Sequence, residues 1–119
     1  MPGVLIVDDA AFMRMSLKAI LERNGFRVTG EAENGAAAVK KCRELLPDII
    51  TMDITMPEMN GIEALKEIKK FHPGAKVVMV SAMGQEAYVR EAVLSGAREF
   101  ILKPFKEENI VDILGKLSR

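Results

Sequence analysis

The sequence predicts an α/β domain with a parallel sheet between two helical layers, on three observations. Short apolar runs rich in Val and Ile alternate with amphipathic stretches along the whole chain. Five such pairs follow one another, separated by turn residues such as Asn24-Gly25, Asn34-Gly35 and Pro73-Gly74. The strand-like runs are continuously apolar rather than alternating, the pattern of parallel strands covered by helices on both faces.

Val4 to Val7 is the first strand. Asp9 is a candidate cap for the helix after it, whose inward face is expected to carry Phe12, Met15 and Ile20. Asn24-Gly25 ends that helix, and Arg27 to Ala32 is the second strand. After Asn34-Gly35 an Ala-rich helix turns Val39, Cys42 and Leu45 or Leu46 inward, and Pro47-Asp48 stops it. Ile49 to Met52 is the third strand. Asn60 opens the third helix, with Ile62, Leu65 and Ile68 on one side, and His72-Pro73-Gly74 closes it as a solvated loop. Lys76 to Val80 is the fourth strand. The fourth helix runs from about Gln85 to Ser95 on Val89, Ala92 and Val93. Glu99 to Leu102 is the fifth strand, and Ile110, Ile113, Leu114 and Leu117 stripe the last helix. Right-handed crossovers leave few topologies for five βα units. The expectation is a flavodoxin-like doubly wound (βα)5 fold with a five-stranded parallel sheet. The order 2-1-3-4-5 is taken from that fold class, not from the residues.

The chain has 119 residues, one domain's worth, and 1–119 is read as a single unit with no linker or repeat. Lys plus Arg and Asp plus Glu both number 17, so there is no overall basic excess of the kind nucleic-acid binding demands. No apolar run has the roughly 20 residues of a membrane helix, and the first residues, Met-Pro-Gly-Val-Leu-Ile-Val, are expected to enter a strand rather than to form a secretory leader. Cys42, the one cysteine, excludes an intrachain disulfide and reads as core filler. The expectation is a cytoplasmic monomer.

In such sheets ligands sit beyond the carboxyl ends of the strands, at the switch in strand order. The first strand ends in Asp8-Asp9, the third in Asp53, the fourth in Ser81 and the fifth in Lys103-Pro104. The assumed order makes these strands neighbours, so three carboxylates, a hydroxyl and an ammonium converge. Taken singly, Asp9 is an ordinary cap, Asp8 a turn residue, Ser81 a cap for the fourth helix and Lys103 a solvated cation. Asp53 resists that treatment, because a carboxylate closing a buried strand is costly without a partner. Clustered carboxylates suit Mg²⁺, which takes hard oxygen ligands and keeps several waters. Asp53 is the candidate nucleophile for an acyl phosphate, with Ser81 and Lys103 as partners for phosphoryl oxygens.

At these residues the chain resembles the response-regulator receiver family. The matching stretches are Val4 to Asp9, Asp53-Ile54-Thr55-Met56-Pro57-Glu58-Met59-Asn60-Gly61, Ser81-Ala82 and Lys103-Pro104, and the resemblance covers essentially the whole chain. It implies Asp53 as phosphoacceptor, Asp8 and Asp9 as the acidic Mg²⁺ pair, and the Thr55 backbone carbonyl as a further metal ligand. It also implies Ser81 as a switch hydroxyl, Phe100 as the switch aromatic that moves with it, and Lys103 as the phosphate-binding lysine. Phe100 lacks the hydroxyl that a Tyr would offer partners. Thr55 and Met83 stand where the family tunes phosphoryl loss, and the Lys103–Pro104 bond where it has a cis peptide. The family's members are switches rather than enzymes in the ordinary sense, although they catalyse their own phosphorylation and dephosphorylation.

The stretches Ala10 to Met15 and Ser81 to Gln85 look most like chemotaxis regulators. That likeness implies control of flagellar rotation, with a histidine kinase (CheA-like) upstream and the flagellar switch protein FliM, or a related phosphatase-type partner, downstream. The alternatives are a phosphorelay intermediate and a receiver excised from a larger regulator. An Asp-nucleophile phosphatase of the haloacid-dehalogenase type wants a second Asp where this chain has Thr55. A flavodoxin-type nucleotide binder would meet Asp8-Asp9 where phosphate must sit.

Overall fold

The computed structural model describes residues 3–118. Strands β1 (Gly3–Val7), β2 (Arg27–Ala32), β3 (Ile49–Asp53), β4 (Lys76–Ser81) and β5 (Glu99–Leu102) alternate with helices. These are α1 (Ala11–Arg23), α2 (Gly35–Leu45), α3 (Gly61–Phe71), α4 (Glu86–Leu94) and α5 (Glu107–Leu117). All strand pairs are parallel, and the sheet order is β2-β1-β3-β4-β5, as expected.

The two-residue period of the strands splits the core. Leu5, Val7, Ile50, Met52, Val77 and Met79 face α2, α3 and α4, while Val4, Ile6, Ile49 and Val78 face α1 and α5. Both faces of the central strands are therefore dry, which is why β1, β3 and β4 read as largely apolar runs. Local chemistry starts the helices where expected. Asn34 accepts the Ala37 N–H at 2.8 Å, and Asn60 and Glu63 form a reciprocal capping box. Cys42 is fully buried on α2, and burial pushes its thiol up to about 11, far from reactivity.

Several expectations about which side chains face inward are corrected. Phe12 and Met15 are 74% and 65% exposed, and α1 buries Leu17, Ile20 and Leu21 instead. At 3.6 residues per turn those three span an arc of about 100°, and Phe12 and Met15 fall outside it. Leu45 and Leu46 are also exposed, because the chain leaves α2 at Leu46 in a left-handed conformation with φ 45°. Val93 is exposed as well, since α4 contacts the core through Ala92 and part of Val89. Asp9 does not cap α1. The N-cap is Ala10, which has no side-chain cap. His72 is half-buried rather than solvated, and its Nε2 donates to the Pro47 carbonyl at 2.9 Å.

Candidate metal centre

Each predicted side chain arrives from a strand end. Asp8 follows β1, and its N–H donates to the Ala32 carbonyl at 3.1 Å, which extends the β1–β2 ladder by one rung. Asp53 is the last residue of β3, paired in register with Val80, and Ser81 is the last residue of β4. Lys103 leaves β5 with its N–H on the Ser81 carbonyl at 2.7 Å, followed by a cis bond to Pro104.

These elements bring Asp8, Asp9 and Asp53 together, with one carboxylate oxygen of each within 4.8 Å of the others. Asp8 and Asp53 are buried and Asp9 is exposed, so the cluster opens to solvent on the Asp9 side. Lys103 Nζ lies 3.0 Å from Asp8 Oδ2 and 3.4 Å from Asp53 Oδ2. One ammonium thus contacts two of the three carboxylates. Burial raises the Asp53 carboxyl to about 6; Lys103 opposes the rise, and Asp8 and Asp9 add to it. For Lys103, burial would lower the ammonium, but the Asp8 and Asp53 carboxylates outweigh it and hold it above its ordinary value.

Ser81 is buried beside this cluster, whereas Thr55 is exposed on the loop after β3. Phe100 is about half exposed and lines a largely apolar cleft of about 350 Å³ between α4 and β5. Ser81, Ala82, Val89 and Leu102 share that cleft.

Three supporting residues went unassigned in the sequence. Arg14 donates to the Asp8 carbonyl at 2.6 Å and pairs through Nε with Glu31 at 3.2 Å, tying α1 and β2 to the site. No local spacing announces a contact made across three elements. Gly61 packs so tightly that a Cβ there would lie 2.1 Å from the Asp53 carbonyl oxygen. Its N–H also donates to the Ile54 carbonyl at 2.8 Å. Gln85 bridges the β3–α3 and β4–α4 loops, as described below.

The donor set fits a hard divalent cation. It offers three carboxylates, two of them buried, with one cation paired to them among the described residues, an electrostatic deficit that Mg²⁺ coordination would relieve. A doubly wound sheet whose strand ends gather this set is the architecture of a signalling receiver domain. The profile described as "Response regulator receiver domain" matches residues 4–115, and the chain belongs to that family. Within the family it is a CheY-like receiver of the chemotaxis type. It is 60% identical over 116 residues to the chemotaxis protein CheY of Thermotoga maritima, covering 98% of this chain and 97% of that protein. To CheY of Bacillus subtilis it is 57% identical over 113 residues, covering 95% and 94%. It also superposes on a chain of the CheX–CheY–BeF3–Mg²⁺ complex from Borrelia burgdorferi. That match has TM-score 0.93 and 37% identity, covering 98% of this chain and 89% of that one. Among the described residues, no helix is long and apolar enough to cross a membrane.

Proposed function

We propose that residues 1–119 form one receiver domain that accepts a phosphoryl group on Asp53 from a histidine kinase of the CheA type and signals to the flagellar motor. The observation that carries this reading is the convergence of Asp8, Asp9 and Asp53 within 4.8 Å, with the Lys103 ammonium against two of them. Asp8, Asp9, Asp53 and the Thr55 backbone carbonyl would hold Mg²⁺. Its chemistry when bound is to offset carboxylate charge and favour an anionic phosphoryl group beside them.

In the transfer, an Asp53 carboxylate oxygen attacks phosphorus and the P–N bond of a phosphohistidine donor breaks. The leaving imidazole nitrogen keeps the electron pair and takes up a proton. Lys103 balances charge on the transferred group and keeps Asp53 ionised against the burial that raises it. Ser81 then closes on a phosphoryl oxygen. Movement of its loop leaves room for the half-exposed Phe100 ring to enter the adjoining cleft of about 350 Å³. The exposed Leu102 lines the same cleft and changes surroundings with it, which gives a partner such as FliM something to read.

Titration with a FliM N-terminal peptide in Mg²⁺, with and without beryllofluoride, tests the output. Tightening of about tenfold is expected. Equal peptide binding with and without beryllofluoride, when beryllofluoride itself is bound, would remove the motor assignment. The CheX–CheY–BeF3–Mg²⁺ assembly in a relative also makes a CheX-type protein a candidate partner.

A further inference from the structure

Gln85 stands at the junction of the β4–α4 loop and α4, yet its side chain does not cap the helix. It spans two loops instead. Its Oε1 accepts the Ala82 N–H at 2.7 Å, and its Nε2 donates to Thr55 Oγ1 at 2.8 Å. Ala82 directly follows Ser81, and Thr55 is two residues past Asp53. One amide group thus joins the segment leaving the candidate phosphoacceptor to the segment leaving the candidate switch hydroxyl. Little else restrains the second segment. Ala82, Met83 and Gly84 are all exposed, and Gly84 has φ +88° with nothing within 4 Å of where a Cβ would stand.

Resting on the reading of Asp53 and Ser81 given above, we propose that Gln85 is a positioning residue that clamps the receiver in its unphosphorylated arrangement. Ser81 and Ala82 are chain neighbours, so a Ser81 that closes on Asp53 carries the Ala82 N–H with it and strains or breaks the bond to Gln85. Without a phosphoryl group nothing replaces that bond. With one, anionic oxygens compete for the same donors, and charge-assisted hydrogen bonds are about twice as strong as neutral ones. The clamp therefore weights the equilibrium toward the resting form until phosphorylation supplies better acceptors. Neutral hydrogen bonds are each worth only a modest factor in such an equilibrium, so the expected effect is small but measurable.

The test is a beryllofluoride titration of the full chain in excess Mg²⁺, read by ¹⁹F NMR, with thermal unfolding of each variant measured without ligand. Gln85→Met keeps the stem and removes both bonds, and Gln85→Ala serves as the second variant. Both should bind beryllofluoride about two- to tenfold more tightly than the native chain. Thr55→Val removes one bond and should tighten binding less. In the Gln85→Met background it should add nothing, because the two bonds act as a unit. Variants that lose thermal stability while binding beryllofluoride no more tightly would mark Gln85 as merely structural and overturn the clamp. Native protein that binds no beryllofluoride, or an Asp53→Asn variant that still binds it, would overturn the phosphoacceptor reading itself. Native binding matched by Gln85→Met would overturn the clamp alone.

Discussion

The Lys103 ammonium stands 3.0 Å from Asp8 Oδ2, close enough for a charge-assisted hydrogen bond, and the same nitrogen reaches Asp53 Oδ2 at 3.4 Å. The side chain at the end of β5 thus restrains carboxylates from β1 and β3 at once. Replacing Lys103 by Met leaves Asp53 to burial and to the Asp8 and Asp9 charges, all of which raise its pKa. The Asp53 carboxyl of Lys103→Met, followed by carbon-detected NMR titration without metal, is expected to titrate above about 6, the value in the native chain. An unchanged midpoint would show that Lys103 does not govern the site's charge.

The elevated Asp53 carboxyl makes both stability and metal binding depend on pH, with opposite signs. The group moves from 3.8 to about 6 on folding, so between these values the folded state holds a proton that the unfolded chain has lost. Its contribution to stability is therefore present below pH 3.8 and is lost as pH rises toward about 6. A cation requires the ionised form, so Mg²⁺ affinity should rise over pH 5 to 7 and level off above. Urea unfolding in EDTA and in Mg²⁺ at pH 5.5 and 7.5 checks both. The stabilisation by Mg²⁺ should be clearly larger at the higher pH.

Gly61 has no room for a side chain. A Cβ would meet the Asp53 carbonyl oxygen at 2.1 Å and the Met52 side chain at 3.0 Å. Backbone cannot retreat as a flexible side chain can, so Gly61→Ala forces the β3–α3 loop away from the strand end. A loss of about 1–3 kcal/mol is expected in chemical denaturation. Mg²⁺-dependent stabilisation should fall with it, because the displaced segment carries both Asp53 and Thr55.

Arg14 serves two acceptors with one guanidinium, the Asp8 carbonyl through a terminal nitrogen and Glu31 through Nε. Arg14→Met should cost about 1.5–3 kcal/mol for the lost charged hydrogen bonds. It should also weaken Mg²⁺ binding by loosening the β1–α1 turn. Arg14→Lys should recover little, since a single ammonium cannot reproduce the fork. Isothermal titration with Mg²⁺ alongside urea denaturation separates the two effects.

The fold was legible because its strands are buried on both faces. Runs such as Val4 to Val7 have no polar interruption to disguise them, and Asn34 and Asn60 mark helix starts through their own hydrogen bonds. The carboxylate cluster was legible for a related reason, since Asp53 closes an apolar strand where a charge demands explanation. Helix facing was less clear. Apolar residues surround much of α1, and nothing in its sequence favours the arc of Leu17, Ile20 and Leu21 over the side of Phe12 and Met15. Asp9 resembles a cap by composition, but Asp8 Oδ1, not Asp9, accepts the Ala10 N–H at 2.9 Å. The contacts by which Arg14 and Gln85 support the site were not legible, because Glu31 and Thr55 come from other elements and meet them only after the chain has folded.

The central claim is that Asp53 accepts a phosphoryl group. Its most direct test exposes the chain to a small phosphodonor such as phosphoramidate with Mg²⁺, then to borohydride, which reduces an aspartyl phosphate to homoserine, with peptide mapping by mass spectrometry. The account predicts Mg²⁺-dependent conversion at position 53 of the native chain and none there in Asp53→Asn. Conversion at Asp8 or Asp9 in the native chain, or none anywhere despite folded protein and bound Mg²⁺, would contradict it.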